Sequence, residues 1–505
     1  MSSIRPSASP DTFPPRLERH TEATVRRLWL YGLGMLMPAL YFAVCYPLWG
    51  NTGRLIDIGQ MSRYQPLEFV GFVGGFVVLF TLYVLALRES RELRPADALR
   101  PIFTCGLALA VVMAAMYPVS AIDMFLYAVR SHLFTAYGAN PNAALPRNFP
   151  TDPWRHLAHP EWASTVSPYG PLWNLIAAPI TFVAGGNIGV ALIGFKLLAV
   201  LALLAGAWAI MRTLATTAPA RSATGALFYL WNPLVLWEAI GNGHNDVVMT
   251  LPLLLALFAF AGRRDWLVIP LLVAGAAIKY APVLVIPLAA VALWRRSPNR
   301  QARIQFVGRS LALSLIVVAV ALAPFYNLTA IRASIAQQAG LSRNSPAQFV
   351  VEMLAGYVPA AQIHLWAVVM GESIVLAVAV WQAFMLMWQP ERLPRAGFEV
   401  LYALLLCATW NFNPWYLIWP VALAALAPWG WPAWRMIAWT AGALASYAVF
   451  IWIQAWLRLD FAALEFIGVP VAFGATIALT LVDLVLYLMR GGDHSIPVER
   501  MDALL

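Results

Sequence analysis

One carboxylate stands where an apolar run ends and is placed to act as a base. Asp123 follows the hydrophobic stretch Ile102–Ala121 and precedes Met124-Phe125-Leu126-Tyr127. An acid sheltered by apolar and aromatic neighbours has a raised pKa and can take a proton from a hydroxyl group. The alternative is structural, because an acid in the first turn of a helix satisfies free backbone N–H groups. Both interpretations of Asp123 stay open at this level.

Other polar residues occur in three turns that interrupt apolar runs. These turns are Gly241-Asn242-Gly243-His244-Asn245-Asp246, Lys279-Tyr280-Ala281-Pro282 and Asn411-Phe412-Asn413-Pro414-Trp415. A ligand that carries a phosphate needs cations and amide donors, and His244, Asn245 and Lys279 would supply them. A lysine that extends its ammonium group from the bilayer to the interface is the alternative for Lys279.

The segment after Asp123 is rich in aromatic and amide side chains. It contains Tyr137-Gly138-Ala139-Asn140-Pro141 and closes on Ser167-Pro168-Tyr169-Gly170-Pro171-Leu172-Trp173. Aromatic rings stack on the C–H faces of sugars while amides bind hydroxyl groups, although tryptophan and tyrosine are also enriched at membrane interfaces. His156 and His159 lie close to Asp152, but a zinc site needs more ligands than these. We therefore expect no metal and no cofactor.

The composition requires a membrane to position these groups. The 505 residues are 61% hydrophobic and 11% charged, and the mean hydropathy is +0.70, whereas soluble domains carry about 25% charged residues. The net charge of +9 comes from basic clusters between apolar runs, which is typical of loops on the cytoplasmic side. The chain is thus predicted to be a polytopic membrane protein whose partner is the lipid bilayer and not nucleic acid.

The apolar runs predict the membrane spans. Runs long enough to cross a bilayer are Leu28–Trp49, Leu67–Leu87, Ile102–Ala121, Asn187–Met211, Leu311–Phe325 (extended on its N-terminal side), Ile363–Trp388, Trp434–Gln454 and Gly468–Met489. Three more runs are broken by polar or proline-containing insertions: Ala223–Ala261, Trp266–Trp294 and Phe398–Pro428. All arginine clusters lie on one side only if each broken run is a hairpin of two short helices and Pro171–Gly185 is a juxtamembrane or re-entrant helix.

This reasoning predicts an all-α bundle of about 14 spans with both termini in the cytoplasm. Residues 1–27 and 490–505 are the predicted cytoplasmic tails, and residues 28–489 form the transmembrane domain. The polar turns and the loops 122–172 and 326–362 then lie on the outer side, which indicates a site that faces outwards. Lys196 lies within a span, where Glu238 or Glu372 is the expected partner.

Taken in order, the motifs resemble those of the GT-C glycosyltransferases, specifically the bacterial polyprenyl-phosphate-mannose-dependent mannosyltransferases. The resemblance rests on Asp123 with Tyr127 and Arg130, Tyr137-Gly138-Ala139-Asn140-Pro141, Ser167-Pro168-Tyr169-Gly170-Pro171-Leu172-Trp173, Trp231-Asn232-Pro233, Gly241-Asn242-Gly243-His244-Asn245-Asp246, Lys279-Tyr280-Ala281-Pro282 and Asn413-Pro414-Trp415-Tyr416. They cover roughly residues 100–430. Two apolar runs precede Asp123, whereas the acid follows the first span in many family members.

The resemblance implies an inverting enzyme that faces outwards from the cytoplasmic membrane. It would move a hexose from a polyprenyl-phosphate carrier to a hydroxyl of a glycan or glycolipid, and the family implies that the hexose is mannose. The lipid-linked sugar is then a substrate, and the reaction needs no cofactor. Asp123 matches the general base, and Lys279, His244 and Arg130 are candidates to stabilise the departing phosphate. The other implied substrate-binding residues are Tyr127, Asn140, Tyr169, Asn245, Asp246, Tyr280, Asn413 and Trp415.

A transporter or flippase of lipid-linked sugars is the alternative. Such proteins are typically built from internal repeats and bind their substrates at the bilayer midplane. This sequence has no detectable repeat, and its polar turns are predicted to lie on one face. These features favour the enzyme.

Overall fold

The computed structural model describes residues 15–327, 329, 330, 332 and 344–489. Over these residues the chain is helical, and extended segments meet only in two isolated bridges. The helices of seven or more residues are α1 (Pro15–Cys45), α2 (Pro66–Glu92), α3 (Pro95–Ala114), α4 (Asp123–Tyr137), α5 (Pro171–Ala184), α6 (Ile188–Thr217), α7 (Ser222–Leu230), α8 (Asp246–Ala261), α9 (Asp265–Ile278), α10 (Val285–Arg296), α11 (Arg300–Leu322), α12 (Pro346–Leu354), α13 (Ala360–Trp388), α14 (Leu393–Ala403), α15 (Ile418–Ala424), α16 (Trp431–Ala448) and α17 (Phe461–Met489).

Eight helices in the described part of the chain are long and apolar enough to cross a membrane, or up to nine if one bent pair counts as a single span. The eight are α1, α2, α3, α6, α11, α13, α16 with its continuation to Leu457, and α17. They coincide with the long apolar runs, and large apolar side chains such as Met37 and Leu67 point outwards with 74% and 77% of their surface exposed. The prediction of an all-helical, multi-pass membrane protein is confirmed.

Some helix ends differ from the predicted ones for local reasons. Helix α1 begins at Pro15, inside the segment predicted as a cytoplasmic tail. Helix α3 ends at Ala114 and not at Ala121, because Pro118 disfavours helical geometry in the residue before it. The segments that follow α1 and α3 instead pair through a bridge between Pro47 and Met116. The predicted tail 490–505 lies outside the described residues.

The three interrupted runs each consist of helical segments with a break at the predicted position. A π-helical turn, Leu236–Gly241, precedes the first break, and the chain direction changes by 120° between Pro233–Gly241 and Asp246–Ala261. A 3₁₀ turn, Ala281–Leu284, connects α9 to α10. A second π-helical turn, Leu404–Ala408, follows α14. The number of crossings that these pairs make stays a prediction.

Helix α5 is short, as expected for a juxtamembrane or re-entrant element. Its 14 residues rise about 21 Å, which is less than the hydrocarbon thickness of about 30 Å.

Aromatic packing holds the first π-helical turn in place. The Trp237 ring meets Phe42, Phe72 and Phe76 at centroid distances of 5.1, 5.6 and 5.1 Å. Edge-to-face contacts of this kind add to the free energy gained by burying the rings. Because these phenylalanines belong to α1 and α2, the N-terminal helices support the turn from which the polar motif emerges.

Four arginines from clusters that the sequence assigned to the cytoplasmic side form ion pairs with Glu391 or Glu399. Glu391 contacts Arg263 at 3.0 Å and Arg296 at 3.7 Å, while Glu399 pairs with both Arg395 and Arg435 at 2.6 Å. The Arg395–Glu399 pair lies within α14, and the other pairs join parts of the chain that are distant in sequence.

Candidate active site

A cavity of about 460 Å³ opens where the polar turns meet. Its wall contains five residues that the sequence analysis singled out, namely Asp123, Tyr169, Lys279, Asn413 and Trp415. The remaining lining residues are Ser120, Ala121, Ile122, Leu126, Glu161, Trp162, Pro168, Asn344, Asn411, Pro414, Tyr416 and Tyr447. Segments separated by almost 300 positions in the sequence therefore line one space.

The position of Asp123 is compatible with both interpretations that the sequence left open. It lies in the first turn of α4, where a carboxylate interacts favourably with the helix dipole, and it also lines the cavity. Burial raises the pKa of its carboxyl group, while a hydrogen bond from Tyr169 and the positive charges of Lys279 and Arg130 oppose that rise. The Tyr169 hydroxyl donates to Asp123 Oδ1 at 2.5 Å, so one carboxylate oxygen has a fixed donor.

Lys279 is held in the cavity wall by a buried acid. Its ammonium group lies 2.9 Å from each carboxylate oxygen of Asp246 and 4.8 Å from the centroid of the Tyr416 ring. Asp246 is fully buried and also accepts a hydrogen bond from Trp419 Nε1 at 2.6 Å. Asp246 therefore orients the lysine from behind and does not line the cavity.

A close backbone crossing brings Tyr169 and Lys279 together. The Gly170 N–H donates to the carbonyl of Ile278 at 3.0 Å. A Cβ atom at Gly170 would overlap the backbone of Ala277, so only glycine permits this approach. The loop that ends at α5 is thus fastened to the C-terminal end of α9, one residue before the lysine.

His244 supports the cavity wall from behind. Its ring stacks on Trp415 with a centroid distance of 3.9 Å and an interplanar angle of 14°. Its Nε2 atom lies 3.4 Å from Glu238, which accepts hydrogen bonds from Tyr447 at 2.8 Å and from Asn242 at 3.2 Å. The histidine is fully buried, and this network leaves it out of the lining.

The remaining predicted residues also lie outside the cavity wall. Arg130 donates to Thr165 Oγ1 at 2.8 Å, and Asn140 donates to the carbonyl of Phe325 at 3.1 Å. Both contacts fasten the segment after Asp123 to neighbouring parts of the chain.

Tyr127 lies beneath Tyr169, with 4.9 Å between the ring centroids. Its hydroxyl accepts a hydrogen bond from the backbone N–H of Asn245 at 3.2 Å. The side chain of Asn245 and the hydroxyl of Tyr280 are buried and have no hydrogen-bond partner among the described residues. Tyr127, Asn245 and Tyr280 are absent from the lining.

The prediction that Glu238 or Glu372 is the partner of Lys196 was wrong. Its ammonium group donates to the backbone carbonyls of Ile240 and Gly241 at 2.9 and 2.7 Å and not to Glu238 or Glu372. The end of a π-helical turn leaves carbonyl groups without intrahelical partners, and a buried lysine satisfies them. No sequence pattern identifies a backbone partner of this kind.

Sequence reasoning missed part of the wall. Tyr447 lies within an apolar run of α16, and its hydroxyl is turned inwards to Glu238. Trp162 lies in the short helix Pro160–Ala163 and Asn344 lies just before α12, and neither belongs to a distinctive motif. Only the fold reveals that these residues face Asp123.

Comparison with known proteins identifies the family. Residues 32–295, just over half of the chain, match the family described as Alpha-(1->6)-mannopyranosyltransferase, N-terminal domain. This range includes Asp123, Tyr169 and Lys279, whereas Asn413 and Trp415 lie beyond it.

Three relatives carry related names. Alpha-(1->6)-mannopyranosyltransferase A of Mycobacterium tuberculosis is 25% identical over 365 residues, which are 67% of this chain and 69% of the relative. The A protein of Corynebacterium glutamicum is 34% identical over 101 residues, 19% of this chain and 20% of the relative. The B protein of the same organism is 28% identical over 197 residues, 38% of this chain and 32% of the relative. The chain therefore belongs to the alpha-(1->6)-mannopyranosyltransferase family.

Proposed function

We propose that this protein is an inverting membrane mannosyltransferase that moves mannose from a polyprenyl-phosphate carrier to a hydroxyl of a glycan or glycolipid. The observation that carries the proposal is the position of Asp123, a half-buried carboxylate in the wall of a cavity that it shares with Lys279. The printed names of the relatives, which describe mannopyranosyltransferases, support mannose as the sugar.

The chemistry is a single displacement at the anomeric carbon. Asp123 takes the proton of the acceptor hydroxyl, whose oxygen forms a bond to the anomeric carbon on the face opposite the leaving group. The bond between that carbon and the phosphate oxygen breaks, and the lipid phosphate departs with the electron pair. One displacement inverts the configuration.

Lys279 is the residue that stabilises the departing phosphate. Its ammonium group lines the cavity, and a cation fixed in advance stabilises charge that develops in the transition state. Arg130 and His244, the other cations considered, are held against protein groups outside the lining. Trp415 and Tyr416 supply aromatic faces for the sugar ring.

The site faces the outer side of the cytoplasmic membrane in this proposal. Arg264 immediately precedes α9, whereas Lys279 immediately follows it, and basic loops remain in the cytoplasm. If each interrupted run makes two crossings, the chain has 14 spans and both termini lie inside. The lipid-linked donor then reaches the cavity from the outer leaflet.

The decisive experiment compares Asp123→Asn with Glu161→Gln. Both variants neutralise a carboxylate that lines the cavity, but Asp123 is half-buried and accepts a hydrogen bond from Tyr169, whereas Glu161 is exposed. The purified proteins are given polyprenyl-phosphate mannose and a synthetic α-mannoside. We expect D123N to lower the transfer rate by a factor of about 10² to 10⁴, with E161Q much closer to the wild type.

Transfer by D123N at the wild-type rate would contradict the proposal. A flippase would move the labelled donor across liposome membranes without forming product, and the same preparations distinguish the two activities. An unchanged thermal unfolding profile of D123N provides the control for folding.

A further inference from the structure

A second, larger cavity adjoins the one that contains Asp123. Its volume is about 860 Å³, within the range of about 300–1,000 Å³ that encloses small-molecule ligands. It is lined by Asp57, Ile58, Tyr64, Val119, Ser120, Tyr447, Phe450, Ile451, Gln454, Ala455, Arg458 and Leu459. Ser120 and Tyr447 line both cavities, so the two spaces meet at these residues. Ser120 lies three positions before Asp123 in the sequence.

Two segments that are distant in sequence build the wall of the second cavity. One connects α1 to α2 and carries Asp57 and Tyr64, and the other follows α16 and carries Gln454 and Arg458. The indole N–H of Trp456 donates to the carbonyl of Tyr64 at 2.8 Å and fastens the segments together. The connection between the two N-terminal helices therefore contributes directly to this cavity.

The orientation of Asp57 is fixed by its own backbone environment. Its carboxylate accepts a hydrogen bond from the Gln60 N–H at 2.7 Å, and the Gln60 side chain accepts one from the Asp57 N–H at 3.2 Å. This capping box holds the loop in one conformation. The cavity wall is consequently built before any ligand arrives.

The polar lining suits a ligand with many hydroxyl groups. Asp57 accepts hydrogen bonds, Arg458 donates them, and Gln454 does both, while Tyr64 adds an aromatic surface. The wall carries one carboxylate, Asp57, and one guanidinium, Arg458, so it has no net positive charge to attract the phosphate of the sugar donor. Lys279, the cation expected to bind that phosphate, lines only the other cavity.

We propose that the second cavity binds the acceptor glycan and presents its terminal hydroxyl to Asp123 past Ser120 and Tyr447. This inference rests on the proposed function, which it completes by giving donor and acceptor separate places. A growing glycan needs an outlet to water while its terminal residue reaches the base. Asp57 and Arg458 are exposed to solvent, so the second cavity provides that outlet.

The test measures binding and transfer separately on the full-length protein in nanodiscs. The acceptor probe is the octyl glycoside of an α-1,6-linked mannose disaccharide, and the donor is polyprenyl-phosphate mannose. Ala455→Trp fills the cavity with a bulky ring, and Arg458→Ala removes a donor of hydrogen bonds. Arg54→Ala is the matched control, because it removes an exposed cation from the same α1–α2 connection outside the lining.

We expect A455W and R458A to raise the Kd and the KM for the disaccharide by about tenfold or more, because the tryptophan ring occupies the space that the glycan needs and R458A removes hydrogen bonds from a charged group. The KM for the donor should change less than about twofold, and R54A should leave both values unchanged. Thermal unfolding profiles verify that each variant is folded.

Each other outcome overturns one of the two proposals. A raised KM for the donor with an unchanged value for the disaccharide would make the cavity a donor site. No effect on either substrate, or no interaction of the wild type with the disaccharide, would exclude an acceptor site. Binding that A455W abolishes, in a protein that transfers no mannose, would refute the proposed function and leave the glycan site intact.

Discussion

At the scale of single residues, the proposed chemistry depends on the pKa of Asp123, which burial and a hydrogen-bond donor shift in opposite directions. Burial raises the pKa of its carboxyl group, and the Tyr169 hydroxyl opposes this by stabilising the carboxylate. The pKa of Tyr169 is itself raised well above its ordinary value by burial and by the neighbouring negative charge. Tyr169 therefore keeps its proton and stays a donor across the working pH range.

The first prediction concerns the pH dependence of transfer. A general base acts when deprotonated, so kcat/KM should fall as the pH drops through the raised pKa of Asp123. Tyr169→Phe removes a donor to the carboxylate, which raises this pKa further. The acid limb should then move to higher pH by roughly one unit, since a hydrogen bond to a charged group contributes about 1.5 kcal/mol and a pKa unit corresponds to about 1.4 kcal/mol.

The pH–rate profile of kcat/KM measures this effect. Tyr280→Phe is the control, because that hydroxyl lies outside the cavity wall and has no partner among the described residues. An acid limb that stays in place in Y169F, or moves to lower pH, would refute the role assigned to the Tyr169–Asp123 pair.

The second prediction separates the structural and catalytic roles of Lys279. Lys279→Met leaves the buried carboxylate of Asp246 without its ion-pair partner, which costs about 3–5 kcal/mol in the free energy of unfolding. Adding Asp246→Asn removes the unpaired charge and keeps an acceptor for Trp419. The double variant should regain most of the thermal stability but not the transfer rate. Recovery of both by the double variant would limit Lys279 to a structural role.

The sequence predicted some residues of the cavity wall and missed others. Asp123, Tyr169 and Lys279 could be found because polar groups at the ends of apolar runs are rare and conspicuous. Tyr447 could not, because a tyrosine within an apolar helix looks like an ordinary packing residue until the fold turns its hydroxyl towards Glu238. Arg130 was expected near phosphate, yet the folded loop supplies Thr165 as its partner.

At the scale of secondary-structure elements, the site exists because helices end at it. Asp123 starts α4, Lys279 follows α9, and Trp415 lies in the turn before α15. The sequence predicted these breaks from their polar insertions. It could not predict how the loop before α5 crosses the end of α9, because that contact is made by backbone atoms.

The third prediction tests this backbone crossing. Gly170 has φ −65° and ψ 157°, a conformation open to any residue, so only space forbids a side chain. In Gly170→Ala, the added methyl group would push apart the segments that carry Tyr169 and Lys279. We expect transfer to fall about 10- to 100-fold, because misplacement of catalytic groups by about 1 Å has an effect of this size.

Gly186→Ala is the matched control for G170A. A Cβ atom at Gly186 meets nothing within 4 Å, so this variant should transfer mannose at close to the wild-type rate. Transfer rates and thermal unfolding of both variants give the comparison. Full activity of G170A would show that the crossing does not determine the geometry of the site.

At the scale of the whole molecule, Lys279 and the cavity that it lines lie at the C-terminal end of α9, whereas Arg264 lies at its N-terminal end. The two cavities meet at Ser120 and Tyr447, while Glu391 pairs with Arg263, the residue before Arg264. Composition was enough to predict a helical membrane protein. It was not enough to predict the number of crossings, because α8, α9 and α10 are too short to be recognised individually as spans.

The last prediction concerns the bent pair Pro233–Gly241 and Asp246–Ala261. Because the chain turns through 120° between them, it returns towards the side from which it came, and Arg264 should lie in the cytoplasm. If the pair were one crossing, Arg264 would instead lie outside with Arg54. Single cysteines at these exposed positions, in a protein without Cys45, Cys105 and Cys407, distinguish the two topologies.

A membrane-impermeant maleimide should label Arg54→Cys in intact cells and Arg264→Cys only after permeabilisation. The inward position follows because two half-length helices joined by a sharp turn can keep their polar break at the outer surface while both of their far ends return to the cytoplasm. Labelling of R264C in intact cells, with R54C labelled as expected, would refute the hairpin and the count of 14 crossings. Labelling of R54C only after permeabilisation would place the cavity that contains Asp57 on the cytoplasmic side and refute an outward-facing site.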